Sequence, residues 1–245
     1  MKEHIISLLS PDYPWKERFH WVDQTGSTND DLKVLARQGA PHGTVLIADR
    51  QSGGHGRMGR AFHSPGGVGI YFSILLRPQC APGELMHLTC ATAVAMCDAV
   101  EAATGFRPGI KWTNDLVFEK HKLGGILTEL GFSAKGRIDY AIVGIGINCR
   151  QRLTDFPEEI QGFAGSLSMA LDRDVSTAAM AAAGMALLVM MMFSVMVTAD
   201  IGIVGQVACH QCFHCCIRIA GHTAVQLNTG CCQSHLGTAA NTAAD

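Results

Sequence analysis

Apolar runs separated by polar and glycine-rich stretches divide the first 150 residues into predicted strands and helices. Short β-branched or apolar runs predict strands at 44–49, 68–77 and 138–148. A polar start with an acidic first turn predicts a helix at 28–38, and a second helix over 83–103 is apolar on most faces. This order predicts the α+β class: a mixed β-sheet flanked by helices, with the helices on one side.

The stretch from 111 to 130 predicts a β-hairpin. Trp112 and residues 116–118 suit one strand, residues 126–130 suit the other, and a polar turn separates them. This arrangement places two lysines, at positions 111 and 122, at strand ends within reach of a shared pocket. Ordinary solvated lysines are the alternative, since that is the usual environment of lysine.

Residues 49–60 read DRQSGGHGRMGR and contain the glycine pattern GxGxxG. A Rossmann dinucleotide site requires a helix directly after these glycines, but Pro65 and the glycines beside it cannot begin one. We therefore predict a loop between strands. Its backbone N–H groups can close around an anion, and Arg57 and Arg60 can pair with phosphate or carboxylate oxygens. An ordinary flexible surface loop is the alternative.

Four motifs in one order over residues 20 to 170 resemble those of the biotin protein ligases. They are Ser-Thr-Asn at 27–29, Gln51 with GGHGRMGR, KWTND at 111–115 with KLGGIL at 122–127, and GIGIN at 144–148. The resemblance implies the catalytic-domain fold of the biotin and lipoate protein ligases, followed by an SH3-like domain that is not recognisable here. It also implies activation of biotin by ATP to biotinyl-5'-AMP, then transfer to a lysine of a biotin carboxyl carrier protein or domain.

Adenylation brings the carboxylate of biotin against the α-phosphate of ATP. Two like charges about 4 Å apart repel by about 4 kcal/mol at an effective dielectric constant near 20, so positive charge must offset the repulsion. The candidate catalytic groups are Arg57, Lys111 and Lys122, together with Mg²⁺, for which Asp115 is a candidate ligand. The resemblance implies that Lys122 contacts the reacting groups and that the glycine-arginine loop shields the intermediate from water.

The resemblance also implies which residues contact each substrate. The expected biotin contacts are Ser27, Thr28, Gln51, Gly54, His55, Gly56, Arg57, Lys122, Gly124 and Ile126. The expected ATP contacts are Arg57, Arg60, Phe62, Lys111, Asn114 and Asn148. Phe62 could stack on adenine or be a core aromatic. His55 stands where some members carry arginine, so a contact that needs that side chain is in doubt.

The 245 residues, 48% of them hydrophobic, can form one substantial core and a small second domain. A formal net charge of −2 provides no electrostatic footprint for nucleic acid. Because the first motif begins at residue 27, we expect no DNA-binding winged helix before it. The apolar run at 5–9 is too short for a signal peptide, which favours a cytoplasmic protein. A homodimer is possible. The scattered cysteines 80, 90, 97 and 149 fit buried reduced thiols.

The composition changes after about residue 175. From Val175 to Asp245, only Asp200, Arg218 and Asp245 are charged. We therefore predict a catalytic domain over 1–180 and an atypical tail rich in Ala, Met and Cys over 181–245.

Three explanations of this tail compete. Residues 175–199 are long enough for a membrane helix but only weakly apolar. Cysteines and histidines between 209 and 232 could bind zinc, although they are crowded. A reading-frame change after about residue 180 is the explanation we favour.

Two rival functions remain open. One is a lipoate protein ligase, which shares the fold and the adenylation chemistry, although the glycine-arginine loop and KWTND favour biotin. The other is a biotin- or nucleotide-binding protein that has lost ligase activity through an aberrant C-terminus.

Overall fold

A mixed seven-stranded sheet is the centre of the fold. The computed structural model of the chain describes residues 1–78, 85, 87–200, 217–220 and 224–227, with only the backbone described at 192–200, 217–220 and 224–227. The strands of the sheet are β1 (Phe19–Thr25), β2 (Thr44–Gln51), β3 (Gly69–Leu76), β4 (Gly109–Lys111), β5 (Asp115–Phe118), β6 (His121–Phe132) and β7 (Ile138–Asn148). Their order is β1-β2-β3-β7-β6-β5-β4. Only β1 and β2 pair in parallel; the other pairs are antiparallel.

Five α-helices accompany the sheet in the described part of the chain. They are α1 (Lys2–Leu8), α2 (Thr28–Arg37), α3 (Leu88–Thr104), α4 (Leu167–Leu171) and α5 (Thr177–Asp200). Two further strands, β8 (Ile217–Ala220) and β9 (Ala224–Leu227), pair only with each other.

The strands predicted at 44–49, 68–77 and 138–148 are confirmed as β2, β3 and β7, and the helix predicted at 28–38 is α2. The second predicted helix begins later, at Leu88. The hairpin is confirmed as β5 and β6, but the placement of Trp112 in its first strand is wrong. Trp112 lies in the turn between β4 and β5 and is 78% exposed. The alternation of polar and apolar residues did not predict α1 or β1.

Helices cover both faces of the sheet, so the expectation of helices on one side is wrong. Val45 and Ile47 of β2 belong to a large core with residues of α1, α3 and α5, whereas Leu46 belongs to a smaller core with Leu32 and Ala36 of α2. Successive side chains of a strand point to opposite faces, so the uninterrupted apolar run at 45–48 of β2 is the expected sequence of a strand covered on both sides.

Helix α5 spans position 180, where we expect a domain boundary; that boundary stays a prediction. The helix packs against α1 and α3, and its side chains from Ala178 to Val189 are buried except that of Ala179, which is half-buried. An all-round apolar helix is expected where a helix lies inside a core. No helix in the described residues combines the length and hydropathy needed to cross a membrane. The cysteines and histidines considered for zinc, between 209 and 232, lie outside the described residues.

Candidate active site

A cavity of about 300 Å³ lies where the start of α2, the glycine-arginine loop and strands β5, β6 and β7 meet. The loop itself is an ordered ribbon that folds back on itself. The Phe62 N–H donates to the Gly54 carbonyl (2.8 Å) and the Gly56 N–H donates to the Arg60 carbonyl (2.8 Å). Its tip is a single 3₁₀ turn at Arg57–Gly59, so the prediction of a loop between strands is confirmed.

Most of the residues predicted for the site line this cavity. They are Ser27, Thr28, Gln51, His55, Gly56, Arg57, Arg60, Phe62, Asn114, Asp115, Lys122 and Ile126. Residues separated by almost 100 positions in the chain therefore share one wall, which supports the grouping of the motifs into a single site.

Four predicted residues are not brought to the cavity wall. Lys111 is exposed at the end of β4. Asn148 is buried, where its amide donates to the Gly165 carbonyl and accepts from Gln151. Gly54 and Gly124 have a packing explanation, because a Cβ at either would come within 2.7 Å or less of a backbone oxygen.

One end of the cavity is a polar recess at the start of α2. The backbone N–H of Thr28 donates to Gln51 Oε1 (2.9 Å), and Gln51 Nε2 donates to Ser64 Oγ (3.1 Å). Ser27 occupies the N-cap position, where its side chain makes no capping hydrogen bond. A hydroxyl not used for capping stays available to a bound molecule.

The opposite end carries the positive charge. Lys122 Nζ lies 2.8 Å from Asp115 Oδ1 and 5.9 Å from the centre of the Phe62 ring. Arg57 Nη1 donates to Thr113 Oγ1 (3.0 Å) and to Asn114 Oδ1 (3.1 Å), which connects the glycine-arginine loop to the KWTND motif. With Arg60, which also lines the cavity, three cationic side chains border it, as binding of an anionic group requires.

The backbone of Lys122 is fixed on both sides. Its N–H donates to the Phe163 carbonyl (2.6 Å), and its carbonyl accepts from the Gly165 N–H (2.9 Å). The segment at 163–165 therefore holds the start of β6, and Lys122 projects from a rigid position. This support could not be predicted from local sequence patterns, because the contact joins positions about 40 residues apart.

Several lining residues were not predicted: Asn29, Met58, Ala61, Gly125, Leu127, Gly144, Ile145 and Gly146. Many belong to motifs already noted, so motif membership was the available signal. The two glycines of β7 leave room for neighbouring side chains that pack closely against the strand. A Cβ on Gly144 would lie 2.2 Å from Asn29 Oδ1, and one on Gly146 would lie 2.5 Å from the Phe62 ring.

Behind the recess, Lys33 bonds two carboxylates. Its ammonium lies 2.8 Å from Asp30 and 2.8 Å from Glu129. Burial lowers the pKa of Lys33, but hydrogen bonds to both carboxylates outweigh burial and raise the pKa above its ordinary value. His55 also comes near these carboxylates, with potential metal-ligating atoms of the three residues within 4.8 Å of one another. Because the ammonium of Lys33 already bonds both carboxylates, a metal ion would have to displace it, so this group is a poor metal site.

Asp115 is the carboxylate that lines the cavity among the described residues. Mg²⁺ is commonly bound by one or two carboxylates together with substrate phosphates and water. A single carboxylate beside two cationic side chains fits a magnesium ion held chiefly by a polyphosphate substrate.

Comparison with known proteins agrees with this geometry. A sequence model described as the Biotin/lipoate A/B protein ligase family matches residues 21–148. The Bifunctional ligase/repressor BirA of Bacillus subtilis is 40% identical over 156 residues, covering 64% of this chain and 48% of BirA. The Biotin--[acetyl-CoA-carboxylase] ligase of Mycobacterium tuberculosis is 36% identical over 165 residues, covering 65% of this chain and 58% of that ligase.

Solved structures show the same relationship. The biotin protein ligase from Aquifex aeolicus in complex with biotin and ATP superposes with a TM-score of 0.61 at 32% identity, covering 73% of this chain and 72% of that one. The chain spans about half the length of the BirA relatives it matches. The family match covers more than half of this chain and includes every strand lining the cavity. The chain therefore belongs to the biotin/lipoate A/B protein ligase family.

Proposed function

We propose that this protein is a biotin–protein ligase that activates biotin with ATP to biotinyl-5'-AMP and transfers it to a lysine of a biotin carboxyl carrier protein or domain. The observation that carries the proposal is the polarity of the cavity. The lining combines a recess built by Thr28 and Gln51 with the cationic side chains of Lys122 and Arg57, which bond other parts of the wall. Biotin has the matching polarity, with a ureido head at one end and a carboxylate at the other.

In the first step, the carboxylate of biotin attacks the α-phosphorus of ATP and pyrophosphate leaves. Negative charge builds up between the two reactants, and Lys122 at the cationic end of the cavity stabilises it. Lys122 exchanges its contact with Asp115 for the reacting oxygens. A magnesium ion held by Asp115 and the phosphates would neutralise charge on the departing pyrophosphate.

Arg57 acts through the glycine-arginine loop. Its bonds to Thr113 and Asn114 hold the loop against the KWTND turn, so the loop covers the cavity. A closed loop keeps water from the acyl-adenylate, which hydrolyses easily. Phe62 lies at the wall between Lys122 and Gly146, where its ring is available to stack on adenine.

In the second step, the neutral amine of an acceptor lysine attacks the acyl carbon of biotinyl-5'-AMP. An amide bond forms, the bond from the acyl carbon to the phosphate oxygen breaks, and AMP leaves. The lysine loses a proton as the amide forms. The partner is thus a biotin carboxyl carrier protein or domain. Absence of nucleic-acid binding, a cytoplasmic location and a homodimer stay predictions.

The two rival functions make different demands on the recess. A lipoate ligase must hold a dithiolane ring, which has no N–H group, whereas the recess presents the oxygens of Thr28 and Gln51. A protein that has lost ligase activity would bind biotin without forming the adenylate.

The test is to incubate the full chain with ATP, Mg²⁺ and a biotin carboxyl carrier domain, adding either biotin or lipoate. Mass spectrometry of the carrier should show biotinyl-lysine and no lipoyl-lysine. Lipoyl transfer at a similar rate would contradict the substrate assignment. Biotin binding without adenylate or transfer would favour the inactive binding protein.

A further inference from the structure

A continuous chain of hydrogen bonds runs through the sheet behind the polar recess. It begins at Lys33, which bonds Glu129 Oε1 (2.8 Å), and continues from Glu129 Oε2 to Asn29 Nδ2 (2.8 Å). Asn29 Oδ1 accepts from Ser73 Oγ (2.6 Å), and Ser73 Oγ lies 2.7 Å from Thr28 Oγ1. Only the last of these residues, Thr28, belongs to the predicted biotin site.

The direction of every bond in this chain is set from the Glu129 end, and the Leu127 carbonyl, 3.5 Å from Asn29 Nδ2, favours the same orientation of the Asn29 amide. An ionised carboxylate only accepts, so the amide nitrogen of Asn29 must face Glu129 and its oxygen must face Ser73. The single hydroxyl hydrogen of Ser73 then points to Asn29. Thr28 must therefore supply the hydrogen in its 2.7 Å contact with Ser73.

As a result, Thr28 faces the cavity with lone pairs only. Gln51 Oε1 accepts from the Thr28 N–H (2.9 Å) and is a second acceptor within reach of the Thr28 hydroxyl hydrogen (3.1 Å). While that hydrogen bonds Ser73 at the shorter distance of 2.7 Å, one lone pair of Gln51 Oε1 stays free for a ligand. Two neighbouring acceptors form a site for a donor N–H and leave a ligand without one unmatched.

We propose that Glu129, which does not line the cavity, is a positioning residue that makes the recess selective for a ligand with an N–H donor. This inference rests on the proposed function, in which the ligand is biotin and the donor is a ureido N–H. The same polarity discriminates against a dithiolane ring, which has no such hydrogen. Discrimination of this kind depends on leaving a buried polar group unpaired when the wrong ligand enters.

The isosteric variant Glu129→Gln reverses the chain. Lys33 needs an oxygen acceptor, so the amide oxygen of the new side chain turns to Lys33 and its NH₂ turns to Asn29. Asn29 then flips and donates to Ser73, Ser73 donates to Thr28, and the Thr28 hydroxyl turns its hydrogen to Gln51 Oε1, 3.1 Å away. Gln51 Oε1 then accepts both hydrogens of Thr28 and has no lone pair left for the ureido N–H, so we expect biotin affinity to fall about tenfold.

A second substitution restores the original direction. In Lys33→Met with Glu129→Gln, no ammonium competes for the amide oxygen, which can turn to Asn29 and accept from it again. The double variant should recover most of the biotin affinity, although it removes two charges. Loss of packing or of charge at position 129 cannot produce this recovery, so the recovery separates positioning from a general structural role.

The measurement is the Kd of biotin by calorimetry for the full chain, for Glu129→Gln and for the double variant. Exposed Glu17→Gln serves as the matched control, and thermal unfolding checks that each variant folds. Recovery in the double variant supports the proposal. Unchanged affinity in Glu129→Gln, or no recovery in the double variant, overturns it.

Ser73→Ala covers the case in which Glu129→Gln does not fold. It cuts the chain and frees the Thr28 hydroxyl to rotate, so biotin should bind several-fold more weakly, and unchanged binding would overturn the proposal. If the unaltered chain binds no biotin, the proposed function itself fails. If the unaltered chain binds biotin but the variants do not show the expected changes in affinity, the proposal for Glu129 fails and the proposed function stands.

Discussion

Lys122 Nζ and Asp115 Oδ1 lie 2.8 Å apart and join the KLGGIL strand to the KWTND turn. The two side chains are 33% and 23% exposed, so solvent screens part of their attraction. Ion pairs with this degree of exposure contribute only about 0–1 kcal/mol. Lys122 can therefore exchange Asp115 for a substrate oxygen at low cost, as a residue that stabilises a developing charge must do.

Replacing Lys122 should slow adenylation strongly while leaving the fold intact. We expect Lys122→Ala to slow biotinyl-5'-AMP formation by about 10²–10³-fold, the usual effect of removing one preorganised charge. The measurement is single-turnover formation of the adenylate followed by chromatography. Lys120→Ala is the matched control, because Lys120 is exposed in the turn next to β6 and does not line the cavity. Equal rates in the two variants would remove Lys122 from the mechanism.

Arg57→Ala should open the glycine-arginine loop, because it removes the bonds to Thr113 and Asn114. We expect the KM for ATP to rise about tenfold or more and the bound adenylate to hydrolyse faster, since water reaches it. Steady-state kinetics and the rate of adenylate loss measure these effects. Arg50→Ala, which changes an exposed arginine on β2, should leave both unchanged. A variant with normal retention of adenylate would show that Arg57 does not close the site.

Gly146→Ala should damage nucleotide binding through Phe62. The new methyl group would lie 2.5 Å from the Phe62 ring, which must move away from the wall. We expect weaker ATP binding, by about tenfold, and less change in biotin binding, because the polar recess lies at the other end of the cavity. Calorimetric titration with each ligand checks this. Gly162→Ala is the control, since a Cβ there meets nothing within 4 Å.

The buried thiol of Cys149 predicts a pH effect on stability. Burial raises the pKa of Cys149 to about 12, above the ordinary value of 9.0. The unfolded chain therefore loses this proton first as pH rises, so the free energy of unfolding falls between pH 9 and 12. The slope attributable to this group is about 1.4 kcal/mol per pH unit.

Denaturant unfolding at several pH values measures this contribution. Cys149→Ala should flatten the decline above pH 9 relative to the unaltered chain, whereas Cys90→Ala, at a half-buried site, should not. An unchanged slope in Cys149→Ala would assign the alkaline loss of stability to other groups, such as Tyr71, whose pKa burial also raises.

Local sequence patterns predicted the elements that carry a clear apolar run or a clear helix start. β2, β3 and β7 are apolar runs, and α2 has a polar start with acidic residues in its first turn. The pattern failed at β1 (Phe19–Thr25), where buried and exposed positions do not alternate regularly. It also failed for the side of the sheet covered by α2, because an apolar strand can be covered on one face or on both.

The site was predictable as far as its motifs reach. Ser27, Gln51 and Lys122 meet in one cavity, as the motif order implied. The roles of Glu129 and Ser73 were beyond the sequence, because each acts through a hydrogen bond to a residue more than 40 positions away. Lys111 and Asn148 show the opposite error, in which motif membership suggested contact with the cavity but the local geometry directs the residue elsewhere.

Exchange of labelled pyrophosphate into ATP measures whether this cavity activates biotin with ATP, because the reaction needs no acceptor protein. We expect exchange by the full chain that requires biotin and falls by about 10²–10³-fold in Lys122→Ala. Absence of exchange in a folded protein that binds both biotin and ATP, or undiminished exchange in Lys122→Ala, would contradict the proposed activation of biotin.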